Sequence, residues 1–487
     1  DYWPFFLSFT KQRNMNRESS LDALRGLAIV GMVLSGSIAF GGVLPAWMYH
    51  AQVPPPLHRF DPTLPGLTWV DLVFPFFLFS MGAAFPLALR GAIEERKPAS
   101  HFWGLASTRF LLLAFFALFT QHLKAWVIAA KPGVMEHLLS LLAFLLLFGI
   151  FFRGSKGFAS RYENWIRSGC VVIALFLLMQ LPFHNGAGFD LYKSDIILMV
   201  LANMAFFGLL IYYFTARRPL LRLLILPVLA AIILSAREPS ASPVKAFFYF
   251  NEIAGLRFDW LYKFYFLKYL FIVIPGTLAG EWMLSASWKE KMPATSGATW
   301  TYGLTVVILL TGLLYLLLYR NEPIALEGWS IWLLFTLCGG LLYWVCRLSK
   351  QKVFQDMVMA GWGLLLLGLL LEPYEGGIKK DPSTFSYYFL CGGFAFLLLP
   401  LFRSLSNHRS TSQHLLSPLA DVGKNPMLAY VAGSLLVLPI LSLTGIKLYW
   451  DGLTHSPWQG VLKGLLFTGA VMLITRYSVK RKWFWRT

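Results

Sequence analysis

The chain has 487 residues, 57% of them hydrophobic and 14% charged, with a formal charge of +18. A soluble globular chain carries about 25% charged residues, so that class is excluded. The basic residues are scattered between apolar runs; a nucleic-acid binder gathers them on one soluble face, so that partner is excluded too.

The opening stretch, DYWPFFLSFTKQRNMNRES, sets apolar residues ahead of basic ones, the reverse of a secretory signal. Residues 1–19 read as a short interfacial lead-in. Beyond them, apolar runs of about 17–22 residues recur, the length that crosses ~30 Å of hydrocarbon as helix. Runs and their breaks predict spans near 21–40, 68–90, 107–127, 137–152, 169–182, 195–214, 219–235, 264–284, 300–318, 329–347, 353–371, 384–402, 425–444 and 458–476. The two short runs, 137–152 and 169–182, also fit a re-entrant pair or tilted, protein-buried helices. The expected fold is all-α, a polytopic integral membrane protein of roughly 12–14 transmembrane helices. It has no separate soluble domain: one membrane domain fills 20–478, and 479–487 form a basic cytoplasmic tail. Alternating strands of a β-barrel are not seen in the sequence. The cysteines Cys170, Cys338, Cys346 and Cys391 lie in or beside apolar runs without metal spacing and read as packing residues.

Charge sets the sidedness. With a cytoplasmic N-terminus, loops on the inner side hold roughly 28 of the 42 Lys and Arg residues and outer loops roughly 14. The loops 41–67, 236–263 and 372–383 then face outward, and they are the richest in polar residues, Pro and Gly.

Taken along the chain, the first span opens as SLDALRGLAIVGMVL, with Asp22 and Arg25 on one helix face. Two readings fit: a helix start with an interfacial Arg, or a charge pair ordering a cytoplasmic pocket in which Arg25 meets a phosphate. The loop that follows contains MYHAQVPPPLHRFDP. Its prolines fix φ and remove donors, so it can hold His50 or His58 at a set depth. Imidazole suits proton transfer at neutral pH; both histidines also fit solvated loop positions, and a His50–His58–Asp61 metal site is a third reading with poor spacing. No metal is expected.

The second span begins TWVDLVFPFF. An acid at a membrane boundary is costly unless paired or functional. Thr68 is the better-placed cap, which leaves Asp71 for another task, such as orienting a histidine. In YLFIVIPGTLAGEWM, the pair Gly276 and Gly280 reads as close helix packing. The outer loop LLEPYEGGIKKDPSTFSYYFL places Lys379 and Lys380 against the positive-inside bias; they fit an anionic-substrate contact or a solvated turn. GKNPMLAY starts a span, with Asn425 as a cap first and a site residue second.

SLDALRGLAIVGMVL, His50-Ala51 and GLTWVDLVFPFFLFSMG, followed in order by YLFIVIPGTLAGE, GGIKKDPSTFSYYFL and GKNPMLAY, resemble blocks of the bacterial branch of the heparan-α-glucosaminide N-acetyltransferase family, from about residue 20 to 440. The resemblance implies a dimeric multi-span acyltransferase in the bacterial inner membrane. It would take an acetyl group from cytoplasmic acetyl-CoA and deliver it to an amino sugar or other envelope glycan outside. It implies His50 as the essential histidine, with Asp71 beside it, and Asp22 and Arg25 at the acetyl-CoA site. His58, Lys379, Lys380 and Asn425 are candidate acceptor contacts. Two departures stand out. The family often has an Asn where this chain has Gly36, flanked by Ser35 and Ser37, which become candidate substrate contacts in its place. The loop after His50-Ala51 is extended by QVPPPLHRFDPTLP, which should reshape the acceptor pocket.

The residues agree with that chemistry. A protonated amine must lose a proton before attacking a thioester, and a histidine at the outer mouth can act as base or carry the acetyl group. A transporter or flippase for a lipid-linked or small anionic substrate is the alternative, since broken helices are common there; charges deep within spans would favour it.

Overall fold

The computed structural model describes residues 18–153, 158–237, 242–289, 296–320, 328–349, 351–407 and 411–487. Nearly all of the lead-in, 1–17, lies outside the described residues. The molecule is an all-α polytopic membrane protein, with eleven described helices long and apolar enough to cross a bilayer.

In chain order the main helices are α1 (Ser19–Ser35), α2 (Trp69–Glu94), α3 (Ala99–His122), α4 (Val134–Phe151), α5 (Phe158–Gln180), α6 (Ile196–Thr215), α7 (Pro219–Ser235) and α8 (Leu270–Met283). They continue with α9 (Ser296–Leu318), α10 (Trp329–Leu348), α11 (Lys352–Leu371), α12 (Phe385–Asn407), α13 (Thr411–Lys424), α14 (Pro426–Leu443) and α15 (Pro457–Lys480). Fourteen of these coincide with the predicted spans. α1 and α7 are short for a span, and α5 carries Glu163 and Arg167 in its first half.

Three differences from expectation have physical causes. α13 falls in what the sequence presents as a loop, because its one apolar face is too short to register as a span. α3 starts eight residues before the predicted 107, so Arg109 sits well inside the helix rather than at its mouth. α1 ends at Ser35 rather than 40, where Gly36 caps it and the Ser37 and Ile38 N–H groups turn back onto the Leu34 carbonyl.

The core is α1, α2, α8 and α12. α12 is the most enclosed span, and α9, α10 and α15 are peripheral. Small residues let the backbones touch. A Cβ on Gly276 or Gly280 of α8 would come within 2.4 or 2.2 Å of the Phe79 or Ala83 carbonyl oxygen of α2, which explains the spacing of that pair. α1 and α13 are closer still: a Cβ on Gly26 would lie 1.8 Å from the Leu419 oxygen, and one on Gly423 1.8 Å from the Asp22 oxygen. α14 contains a π turn, Gly433–Val437. Within 479–487 the chain turns back, and Phe484–Trp485 pairs antiparallel with Phe152–Arg153.

Candidate functional site

The loop between α1 and α2 is built as a rigid arch. Tyr49 donates its hydroxyl to the Ala39 carbonyl, and its own carbonyl accepts from Thr68 Oγ1 at 2.7 Å. His58 packs edge-on against both Phe40 and Tyr49. Its Nε2 accepts from the Gly41 N–H at 3.0 Å, so this imidazole braces the loop. Asp61 closes its own turn through the N–H and hydroxyl of Thr63. His50 and His58 therefore face different partners.

His50 faces Asp71. Its Nδ1 lies 3.0 Å from Asp71 Oδ1, off the line of a hydrogen bond, and neither atom has another hydrogen-bond partner among the described residues. A carboxylate oxygen only accepts, so any proton shared between these two atoms is carried by Nδ1, which leaves the lone pair on Nε2. Asp71 is fully buried at the start of α2. Its Oδ2 accepts from the Thr68 N–H at 3.0 Å, the Thr68 hydroxyl at 3.1 Å and the Ala51 N–H at 3.3 Å. The same carboxylate thus orders the helix start and pins the residue after His50. Burial pushes the His50 imidazole down to about 4, with Lys380 adding to that shift and Asp71 and Asp381 opposing it.

A second loop, between α11 and α12, completes this end. Lys380 Nζ approaches Asp71 Oδ1 at 3.8 Å. Gln52, buried, donates from its amide nitrogen to the Asp381 carbonyl at 2.6 Å and accepts from the Asp381 N–H at 2.9 Å. Tyr387 of α12 donates its hydroxyl to the Asp71 carbonyl at 2.9 Å. Glu375 receives the Phe385 and Ser386 N–H groups and so caps α12. Lys379 is half-buried, and its charge lies beside Asp61.

Beneath Asp71 runs an apolar cleft. Its walls include Ile29 and Met32 of α1, Phe74 and Phe77 of α2, and Leu113 and Phe116 of α3. Phe74 is one turn below Asp71 on the same helix, so the cleft reaches to within a turn of the carboxylate. Arg25 lies one turn before the wall residue Ile29 on α1 and does not itself line the cleft. The Arg25 guanidinium contacts Asp22 at 3.2 Å and the Ser80 and Gly423 carbonyl oxygens, each at 3.4 Å. Asp71 and Ser80 are nine residues apart on α2, about 14 Å of helix rise. Arg109, one turn from Leu113 on α3, is half-buried, and its Nε has no hydrogen-bond partner among the described residues.

The other sequence candidates fall elsewhere. Ser35 and Ser37 turn their hydroxyls back onto the last turn of α1, to Met32 and Val33 carbonyls at 2.9 and 2.8 Å. Asn425 is fully buried at the start of α14 and makes no side-chain cap. Its amide holds the C-terminal segment, donating to the Trp483 carbonyl and accepting from the Trp485 N–H. The structure brings together His50, Asp71 and Lys380; it does not bring Ser35, Ser37 or Asn425 to them by any described contact. Gln52 and Tyr387 were missed by sequence reasoning. Gln52 follows His50-Ala51 directly, which was the one available signal.

No curated protein matches the chain. A family model described as a domain of unknown function (DUF5009) matches residues 17–283, which takes in His50, Asp71 and Arg25 and more than half of the sequence, and the chain belongs to that family.

Proposed function

We propose that the protein is a transmembrane acyltransferase that moves an acetyl group from cytoplasmic acetyl-CoA to an amino sugar or envelope glycan on the outer face of a bacterial inner membrane. The observation that carries this reading is the His50–Asp71 pair, with Asp71 one turn of α2 before Phe74 in the wall of the apolar cleft. An ordered carboxylate and an imidazole whose Nε2 has no hydrogen-bond partner among the described residues are parts that thioester transfer needs.

Two routes balance. In the direct one the acceptor amine attacks the thioester carbonyl, the C–S bond breaks, and the amine proton passes to His50 Nε2 and on to the departing thiolate. In the stepwise one Nε2 attacks the carbonyl and releases the thiolate, and the amine then displaces the imidazole from the acetyl group, its proton passing to Nε2 and on to the thiolate. In both, Asp71 fixes the tautomer and offsets positive charge on the ring. Arg25 and Arg109, on the cytoplasmic side by the positive-inside count, offer guanidinium groups to the donor's phosphates. The pantetheine arm is long and thin, so it would reach between the helices while the nucleotide need not cross.

Transport is favoured by a different observation. Arg222 of α7 is fully buried and pairs with Glu281 at 2.6 Å and Thr277 at 2.9 Å, and intramembrane charge is common along transport pathways. Acetyl-CoA binding and acetyl transfer by the purified protein separate the two. His50→Ala should abolish transfer while the protein stays folded and still binds acetyl-CoA. Full transfer by that variant would sink the enzyme reading.

A further inference from the structure

The two oxygens of Asp71 have different surroundings. Oδ2 is filled by three donors, from Thr68 and Ala51. Oδ1 faces His50 Nδ1 at 3.0 Å and Lys380 Nζ at 3.8 Å. Lys380 is no loosely tethered surface lysine. Its neighbour Asp381 is held through both backbone polar groups by Gln52, and Gly66 donates to the Ile378 carbonyl at 2.9 Å. Gly377 sits on Pro65, where a Cβ would come within 2.3 Å, so the two loops have no slack at this point. Ser383 is fastened to Tyr265 and Lys268. The loop between α11 and α12 is therefore locked onto the loop after α1, and that lock delivers an ammonium group to the one open carboxylate oxygen.

A carboxylate beside an imidazole ordinarily favours the imidazolium, and a second cation on the same oxygen opposes it. The charged groups facing His50 are Asp71 from α2, and Lys380 and Asp381 from the α11–α12 loop. Tyr387 of α12 reaches only the Asp71 backbone carbonyl, and Lys268 lies behind Ser383. Among the described residues Lys380 is thus the cation placed to offset the carboxylate, and burial acts in the same direction.

We propose that Lys380 is a positioning residue that acts through Asp71 Oδ1 to hold His50 as the neutral imidazole, with Nε2 free. This deepens the acyl-transfer reading and rests on it only for the use made of Nε2. Lys380 governs how readily His50 takes a proton, and the loop lock is what keeps it in range.

The test needs neither donor nor acceptor. Of the two forms of a histidine, diethyl pyrocarbonate modifies the neutral imidazole, so modification at the His50 peptide, followed by mass spectrometry on the purified full chain in detergent, reports its protonation against pH. Lys380→Met should move the midpoint upward by about one unit or more, the effect of one neighbouring charge. Lys380→Arg should keep it, and Lys379→Met, whose charge lies beside Asp61, should leave it unmoved. If Lys380→Met does not fold, Lys380→Gln serves the same comparison. An unmoved or lowered midpoint on neutralising Lys380 overturns the proposal, as does a Lys380→Arg shift equal to that of the neutral variant. An unmoved midpoint leaves the acyl-transfer reading standing, and failure of acetyl transfer leaves the midpoint shift standing.

Discussion

Asp71→Asn is the sharpest perturbation of the site, because it keeps the shape and removes the charge. The amide oxygen can replace Oδ2 and go on accepting from Thr68 and Ala51, whose three donors sit at 3.0–3.3 Å. The amide nitrogen then occupies the Oδ1 position, 3.0 Å from His50 Nδ1 and 3.8 Å from Lys380 Nζ. It donates where the carboxylate accepted. His50 must present a lone pair at Nδ1, so its proton moves to Nε2 and the ring can no longer serve as base or nucleophile. The same tautomer reversal in a serine-protease triad costs about 10⁴-fold in kcat, and a loss of about 10³-fold or more in acetyl transfer is expected here. Stability should fall by about 1–3 kcal/mol, the range for a buried charged hydrogen-bonding group deprived of its match. The assay is transfer of radiolabelled acetyl from acetyl-CoA to a glucosamine acceptor, with acetyl-CoA binding and detergent melting measured in parallel. Asp71→Asn with unchanged binding and a rate within a few-fold of the parent would refute the tautomer argument.

Four further outcomes follow from the structure. Because burial holds His50 at about 4, about nine-tenths of it is neutral at pH 5, against about 3% for an unperturbed imidazole; once the acceptor amine's own titration is divided out, the transfer rate should therefore hold from pH 7 to 5, and a residual acid limb centred near 6.5 contradicts this. The unfolded chain binds more protons than the folded one between about pH 4 and 6.5, so melting temperature should rise with pH through that window. Arg25→Ala should raise the KM for acetyl-CoA about tenfold or more, as expected for a lost charge-assisted contact, with kcat little changed; a kcat effect alone would remove Arg25 from donor binding. Gly423→Leu must force α13 off α1, because even its Cβ meets the Asp22 carbonyl at 1.8 Å; a cost of about 1–3 kcal/mol or more, read as a lower melting temperature, is expected, and an unchanged melt contradicts that packing.

The span pattern was legible because hydrophobic length is a direct consequence of bilayer thickness, and fourteen helices coincide with the predicted runs. Helix ends were less legible. Polar first turns such as that of α3 lower hydropathy without stopping the helix, which is why the apolar run starts at 107 while the helix starts at 99. His50, Asp71 and Thr68 could be read together because they lie within twenty-one residues of one another and share a turn and a cap. Lys380 could be suspected from its charge on an unexpected side, but not its partner, since a contact spanning more than three hundred residues leaves no periodic trace. It also lies outside the residues 17–283 that the family model matches, so the matched segment supplies the histidine and carboxylate, and the later helices supply the cation. His58 and Asn425 show the converse. Both are polar groups in suggestive positions, and both are engaged in holding the chain, one against Gly41 and the other against Trp483 and Trp485.

Sided transfer tests the central claim most directly. Proteoliposomes would be prepared with the protein in one orientation, radiolabelled acetyl-CoA supplied on the Arg25 side and a glucosamine acceptor confined to the His50 side. The account predicts labelled N-acetyl product on the His50 side, no transfer with His50→Ala, and no product when the two substrates are exchanged. Equal product from either arrangement, or transfer that survives loss of His50, would contradict it.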